Sequence, residues 1–329
     1  MVSVIIPVYN AAPFVRKAVE SAISLAEVTE VILIEDNSPD DSLAVCQALA
    51  REYAKVKLLR HPDGGNHGAG ASRNLGIRNA RGQYIAFLDA DDWYLPNRFQ
   101  TCLPILESRS DVDGVFEAGG VEFEDEAQRQ NWITAGKPMI NPVLKGVLPD
   151  DLLDALLQGL ALQTNGFTVR RALFGKTGLF DEHLRLSQDT AMWWKMALIA
   201  KLLAGNLTDP VAMRLIHSAN RSTDNFRDQI TAAQREAWRT LWRWCKKEQI
   251  PFGRRRLVLE RLIGGEIKQL LRYQDQFRFI ERILRLPKLM ADQRTILALT
   301  PVEILYAYYH VSGLHGLVHH LARLAGKAQ

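Results

Sequence analysis

The chain has 329 residues, 47% of them hydrophobic and 24% charged, which excludes a disordered chain, a collagen-like repeat and a disulfide scaffold. It is long enough for one large domain or about two smaller ones with real cores. The net charge of +4 hides a split: residues 225–329 hold 19 Lys+Arg against 9 Asp+Glu, a net of +10, which leaves −6 on residues 1–224.

Val2-Ser3-Val4-Ile5-Ile6-Pro7-Val8 is a nearly continuous β-branched run and predicts a buried strand, broken at Pro7 and Asn10. Pro13 suits the first turn of a helix, and Val15, Val19, Ala22 and Ile23 follow at helical spacing. Val31–Ile34 predicts a second strand ending in Glu35-Asp36-Asn37-Ser38, with a helix over 42–53 and a third strand over 56–59. The Gly-rich stretch 63–70 leads into a helix near 71–80, and Tyr84–Leu88 predicts a fourth strand that ends in Asp89-Ala90-Asp91-Asp92. This alternation predicts a parallel sheet with helices on its faces. Ligands of such sheets bind beyond the carboxyl ends of the strands, so Tyr9-Asn10, Asp36 and Asp89–Asp92 should share one crevice.

Short strands are expected at 114–117, 120–123, 166–169 and 211–216, and helices at 150–162 and 190–200, with Met192, Trp193 and Met196 on the packing side of the second. From Asn225 the pattern turns helical, with one stripe of Ile230, Ala233, Ala237, Leu241 and Trp244 and another of Leu259, Leu262, Ile263, Ile267 and Leu270. Arg278, Arg282 and Arg285 share a helical face, and Leu314, Leu317, Leu321 and Leu324 form an amphipathic end. Cys46, Cys102 and Cys245 have no metal-ligand or CxxC spacing, so free thiols in a reducing compartment are expected. No signal peptide and no run of 18 apolar residues is present, so a cytoplasmic chain is expected and the sequons at Asn206 and Asn220 are chance.

Three carboxylates within Asp89–Asp92 repel one another unless solvated, capped or bound to a cation. A hard divalent ion such as Mn2+ or Mg2+, bound through one or two carboxylates and substrate phosphates, answers that repulsion. A helix cap is the plain alternative. The Gly64–Gly70 run lacks Lys-Ser/Thr and is not a Walker loop, nor does a GxGxxG follow the first strand.

Four motifs in order, Val2–Asn10, Ile34–Asp40, Gly68–Gly76 and Gly82–Asp92, resemble the nucleotide-binding half of an inverting family 2 glycosyltransferase. The resemblance thins toward Ser222 and stops before the tail. It implies an α/β GT-A fold, a Rossmann-like, mostly parallel sheet flanked by helices, with a C-terminal helical extension. The implied division is a glycosyltransferase domain over 1–224, its nucleotide-sugar half 1–110 and its acceptor half 111–224, followed by a basic helical region over 225–329. The nucleotide-sugar contacts implied are Pro7, Tyr9, Asn10, Asp36, Arg73, Asp89, Ala90 and Asp91, with Tyr9 against the base and Asp36 on its edge. A carboxylate there accepts from uracil N3–H, which points to a UDP-sugar; an Asx turn is the plain alternative for Asp36.

Phe180–Trp194 resembles the family's acceptor-side motif, in which a Glu-Asp pair opens a helix and the Asp is general base. Here the pair is Gln188-Asp189, so the first acid is missing and Asp189 remains as the base, with helix capping as the alternative. Gln188, Trp193 and Trp194 are the acceptor-side residues implied, although Trp193 at helical spacing with Met196 equally suits a core. Arg214–Ser222 resembles the closing segment, in which His217 would complete a metal site with Asp91 and Asp92 or touch the diphosphate, with a merely hydrogen-bonded His after a strand as the plain alternative. His61 and His67, in the Gly-rich loop, are expected in solvent.

The implied enzyme transfers a sugar from a nucleotide sugar to a hydroxyl of a glycan or lipid-linked glycan by single displacement. The alternatives are a non-catalytic nucleotide-sugar or glycan-binding module and a nucleotidyltransferase, the second of which wants an early basic Gly-rich signature that is absent. A basic tail suits anionic partners, namely nucleic acid, a lipid surface or phosphorylated substrates, or is a solvated helix face; with the nucleotide bound as a small donor, nucleic acid is not expected. The tail then points to an anionic membrane surface or a lipid-linked acceptor, at the inner face of the cell membrane.

Overall fold

The computed structural model describes residues 1–142, 149–157, 159–218, 220 and 227–272. The chain divides into two compact units, Met1–Ala233 and Gln234–Gln329. In the first, the elements run β1 (Val2–Val8), α1 (Val15–Ile23), β2 (Val28–Glu35), α2 (Ser42–Glu52), β3 (Val56–Arg60), α3 (Gly68–Asn79), β4 (Tyr84–Phe87), β5 (Trp93–Tyr94) and α4 (Cys102–Ser108). They continue as β6 (Gly114–Phe116), β7 (Gly119–Phe123), α5 (Glu126–Thr134), β8 (Ile140–Asn141), α6 (Pro149–Leu157), a 3-10 turn at Thr164–Gly166, β9 (Phe167–Arg170), α7 (Phe174–Thr177), α8 (Gln188–Ile199), β10 (Leu202–Ala204) and β11 (Ala212–Ile216).

Among the described residues, seven strands form one sheet in the order β10-β6-β9-β4-β1-β2-β3, and four form a second in the order β5-β11-β7-β8. In the first sheet β1, β2, β3 and β4 pair in parallel, as do β6 and β10, while β9 runs against both its neighbours. The α/β class and the mostly parallel sheet expected from the sequence are those observed.

Burial on both faces explains why β1 reads as an unbroken apolar run. Val2, Val4, Ile6 and Val8 belong to the core that includes Val15, Ala18, Val19 and Ala22 of α1. Ile5 faces α3, where a side chain on Gly76 would come within 2.5 Å of Ile5 Cγ2. Glycine at 76 thus lets α3 lie close on the sheet. Ser3, the polar residue in this run, donates to Glu30 and accepts the Gly82 N–H. Beneath the junction of β6 and β7, Arg98 and Glu117 form a fully buried ion pair at 3.2 Å, with a further Arg98 bond to the Phe167 carbonyl.

Several elements were not legible as such. α5 has no buried residue and hence no apolar stripe, and β5 and β8 are two residues each. α3 begins at Gly68, three residues before the expected start.

In the second unit α9 (Arg227–Lys247), which begins in the first, and α10 (Phe252–Arg272) bear out the helical pattern. The buried stripe of α9 is Ala237, Leu241, Trp242 and Cys245, so Trp242 and not Trp244 is its tryptophan. Ile263, Ile267 and Leu270 of the second stripe, Arg278, Arg282 and Arg285, and the Leu314–Leu324 segment lie outside the residues whose side chains are described. No helix among the described residues is long and apolar enough to cross a membrane.

Candidate active site

Because β1, β2 and β4 run the same way, their carboxyl ends meet along one sheet edge, where a cleft of about 520 Å³ opens. Its walls include Pro7, Tyr9, Asn10, Asp36, Asp89, Ala90, Asp91, Asp92, Asp189 and His217. The chain leaves β1 and β2 through left-handed turns at Asn10 (φ 52°) and Asn37 (φ 57°), a conformation that asparagine tolerates. Tyr9 is 42% exposed and lines the cleft.

Asp36 is buried. Its carboxylate accepts the backbone N–H of His67 at 2.8 Å and of Gly68 at 2.7 Å, and its carbonyl accepts from the Asn66 side chain. Gly68 has φ +86°, and a side chain there would meet the Arg185 guanidinium. Asp36 therefore fastens the Gly-rich loop over the cleft rather than forming an Asx turn with Ser38. His61 lies 3.5 Å from Asp36 and within reach of the Ser72 hydroxyl, with its ring 4.4 Å from that of His67. His61 is thus packed, not solvated as expected, and burial holds its pKa below the usual imidazole value.

The acidic cluster is sorted by its surroundings. Arg73, buried on α3, donates to Asp89 at 2.7 Å and so acts on the cleft through that carboxylate. Asp91 Oδ2 lies 3.0 Å from His217 Nε2 and 3.2 Å from Asn220 Nδ2. The His217 ring rests against Phe14 at 4.9 Å, and the His217 backbone N–H donates to Asn220 Oδ1. Asp92 is only 3% exposed, and its two oxygens accept from Leu215 N–H and Asn165 Nδ2. Burial, followed by the charges of Asp91 and Asp89, pushes the Asp92 carboxyl well above the ordinary range. Among the described residues no three His, Cys, Asp or Glu side chains form a cage for an ion. The Asp91–His217 pair instead suits a divalent ion that draws its remaining ligands from a diphosphate.

Asp189 sits in the first turn of α8, one residue beyond the start of the helix; Ser187, at φ 59°, is the N-cap. Asp189 Oδ1 accepts the Thr190 N–H at 2.7 Å, and Oδ2 lies 3.4 Å from the Thr164 hydroxyl. It is therefore not the cap that the plain alternative required.

The acceptor-side residues require correction. Trp193 is 2% exposed and stacks on Phe167 at 4.1 Å, with Phe87 and Phe180 around it, and Trp194 is 3% exposed. Gln188 is buried against Gly70 of α3. None of the three lines the cleft. The apolar environment of α8 claims both indoles, as the spacing of Trp193 with Met196 already suggested.

Thr164, Asn165, Phe14 and Trp132 line the cleft and were not found from the sequence. One signal was present: Gln163-Thr164-Asn165-Gly166 is a polar run directly before an apolar strand, the pattern of the strand ends that were recognised.

Residues 3–160 match the model of the family described as Glycosyl transferase family 2. An uncharacterised glycosyltransferase of Rickettsia prowazekii, RP339, is 29% identical over 204 residues, 61% of this chain and 60% of that protein. The minor teichoic acid biosynthesis protein GgaA of Bacillus subtilis is 29% identical over 212 residues, 61% of this chain and 44% of that protein. The chain thus spans less than two thirds of the length of these curated relatives. Among solved structures, S. aureus TarS 1-349 in complex with UDP-GlcNAc superposes with a TM-score of 0.59 at 13% identity, covering 96% of this chain and 91% of that one. At that identity the likeness concerns the fold.

Proposed function

For a chain that carries a family 2 glycosyltransferase domain, we propose the inverting transfer of a sugar from a UDP-sugar to a hydroxyl of a glycan or lipid-linked glycan acceptor, assisted by Mn2+ or Mg2+. The observation that carries this reading is that the Asp91–His217 pair and Asp189 line one cleft. TarS has been crystallised with UDP and with UDP-GlcNAc, which supports the same donor class here.

Tyr9 faces the base, and Asp36 accepts from its edge with the lone pairs that the His67 and Gly68 amides leave over. Asp89, oriented by Arg73, meets the ribose or the sugar. Asp91 and His217 hold the ion, which when bound neutralises the charge that develops on the departing diphosphate. Asp189 takes the proton of the acceptor hydroxyl as that oxygen attacks the anomeric carbon from the face opposite the leaving group. A single displacement needs no enzyme nucleophile. Gln188, where the family has an acid, is buried behind α3 and leaves Asp189 in the cleft, which counts against a decayed binding module. The basic region 225–329 associates with an anionic membrane surface at the cytoplasmic face.

The test is UDP release from a panel of UDP-sugars with and without Mn2+. Turnover of at least one donor, abolished by chelation, is expected. Binding without turnover in the presence of acceptors would turn the reading to a binding module, and a panel with no binding at all would sink it.

A further inference from the structure

We infer that Asn165 is a positioning residue of the transfer reaction, and that Asp92 is its hydrogen-bonding partner in the cleft wall rather than a ligand of the cation. This rests on the glycosyltransferase reading above and assigns a role to a turn that the sequence did not single out.

The Asn165 amide is buried, and its orientation is fixed by its neighbours. Its Oδ1 accepts the Asp89 N–H at 2.9 Å, and its Nδ2 donates to Asp92 Oδ2 at 2.6 Å. A backbone N–H can only donate and a carboxylate accepts, so the two ends of the amide cannot exchange. The second Asp92 oxygen accepts Leu215 N–H at 2.9 Å. Leu215 is two residues before His217. Two of these hydrogen bonds thus tie the loop after β4 to the turn that carries Asn165, and the third ties it to β11, the strand that leads to His217. Asp91 lies between the two anchored residues, and its meeting with His217 at 3.0 Å is set from both sides. Asp92 itself has both oxygens engaged and is 3% exposed, whereas the Asp91 side chain is 30% exposed.

The same turn reaches the candidate base. Thr164 Oγ1 is 3.4 Å from Asp189 Oδ2. The turn is held in place on its far side as well: Gln163 Nε2 donates to the Gly119 carbonyl at 3.1 Å, and a side chain on Gly166 would collide with the Glu117 backbone. Phe167 follows, stacked on Trp193 of the helix that carries Asp189. Adjacent residues of one turn therefore hold the loop that carries Asp89 and Asp91 and touch the carboxylate of the base, and so set the separation between them. A misplacement of about 1 Å in such a constellation costs on the order of 10²-fold in rate.

The test is a swap. N165D alone sets two carboxylates against each other, and D92N alone sets two amide N–H groups against each other. N165D/D92N restores all three hydrogen bonds with the polarity of the central one reversed and the net charge unchanged. Measured are kcat with the UDP-sugar that the wild-type enzyme uses, UDP affinity by calorimetry with Mn2+, and melting temperature. Each single change is expected to lower kcat by about 10²-fold and to leave UDP affinity within about threefold, and the swap to return kcat to within about tenfold of wild type. A swap no more active than the single variants, or one that loses Mn2+-dependent UDP affinity, would overturn the inference and return Asp92 to the cation. A wild-type protein that turns over no donor would defeat the proposed function instead. The pairing is then read in melting temperature, where the single changes fall and the swap must recover; failure to recover overturns it.

Discussion

In the proposed transfer Asp189 is the base, and Thr164 holds its carboxylate. A carboxylate taking a proton in the transition state is worth about 10² to 10⁴-fold, so Asp189→Asn should lower kcat by that order while calorimetric UDP-sugar affinity stays unchanged. Thr164 donates to the same carboxylate from outside the reacting atoms. Thr164→Val should therefore lower kcat severalfold without moving donor KM, and Thr164→Ser, which keeps the hydroxyl, should restore it. Loss of donor affinity in Asp189→Asn would contradict the base assignment. Asp36, Asp89, Asp91 and Asp189 were legible because each is an acid where a strand or helix meets its loop. Asn165 was not, because its partners lie 76 and 73 residues away, and the polar run before its strand marks a loop without saying which distant loop its amide meets.

Among elements, the strands at the site were legible because burial on both faces writes them as continuous apolar runs. α5 was not, since a helix that buries nothing carries no period. α3 is the element on which the donor side depends most closely. It starts at the Gly68 amide that Asp36 holds, carries Arg73 toward Asp89, and its Asn74 side chain accepts the Phe180 N–H and donates to the Phe180 carbonyl. Its approach to the sheet rests on Gly76. Gly76→Val should destabilise the fold by about 1–3 kcal/mol through overpacking against Ile5 and Ile34. It should also weaken UDP affinity as the helix lifts. Urea denaturation and calorimetry on the same variant measure both, and an unchanged denaturation midpoint would show that the sheet yields at no cost.

Over the whole molecule, the three thiols and the charge split report on different states. Cys46, Cys102 and Cys245 are all buried. Burial raises the Cys46 and Cys102 thiols to about 12, so at pH 8 both are protonated in the folded state and react only on opening. Their protonated forms add stability below the unfolded thiol pKa, and that contribution is lost as pH climbs toward 12. A disulfide-exchange reagent at pH 8 should therefore label neither quickly in buffer and all three thiols in denaturant; rapid labelling of Cys46 or Cys102 in buffer would refute the packing. The net of +10 on residues 225–329 predicts binding to vesicles rich in anionic lipid, lost between about 0.05 and 0.5 M salt as the screening length shrinks, with no binding to neutral vesicles.

The cleft is stitched across long stretches of chain: His217 meets Asp91 over 126 residues, Leu215 meets Asp92 over 123, and Asn74 meets Phe180 over 106. Loop closure over such distances costs entropy that adjacent strand pairs such as β1 and β2 do not incur. The order of assembly follows from this. During synthesis the β1-α1-β2 core can condense as soon as it emerges, whereas the cleft waits for Asn220 to leave the ribosome. Recovery of donor binding after dilution from denaturant is then a slower clock than recovery of secondary structure, and the two rates separate the scaffold of this protein from its chemistry.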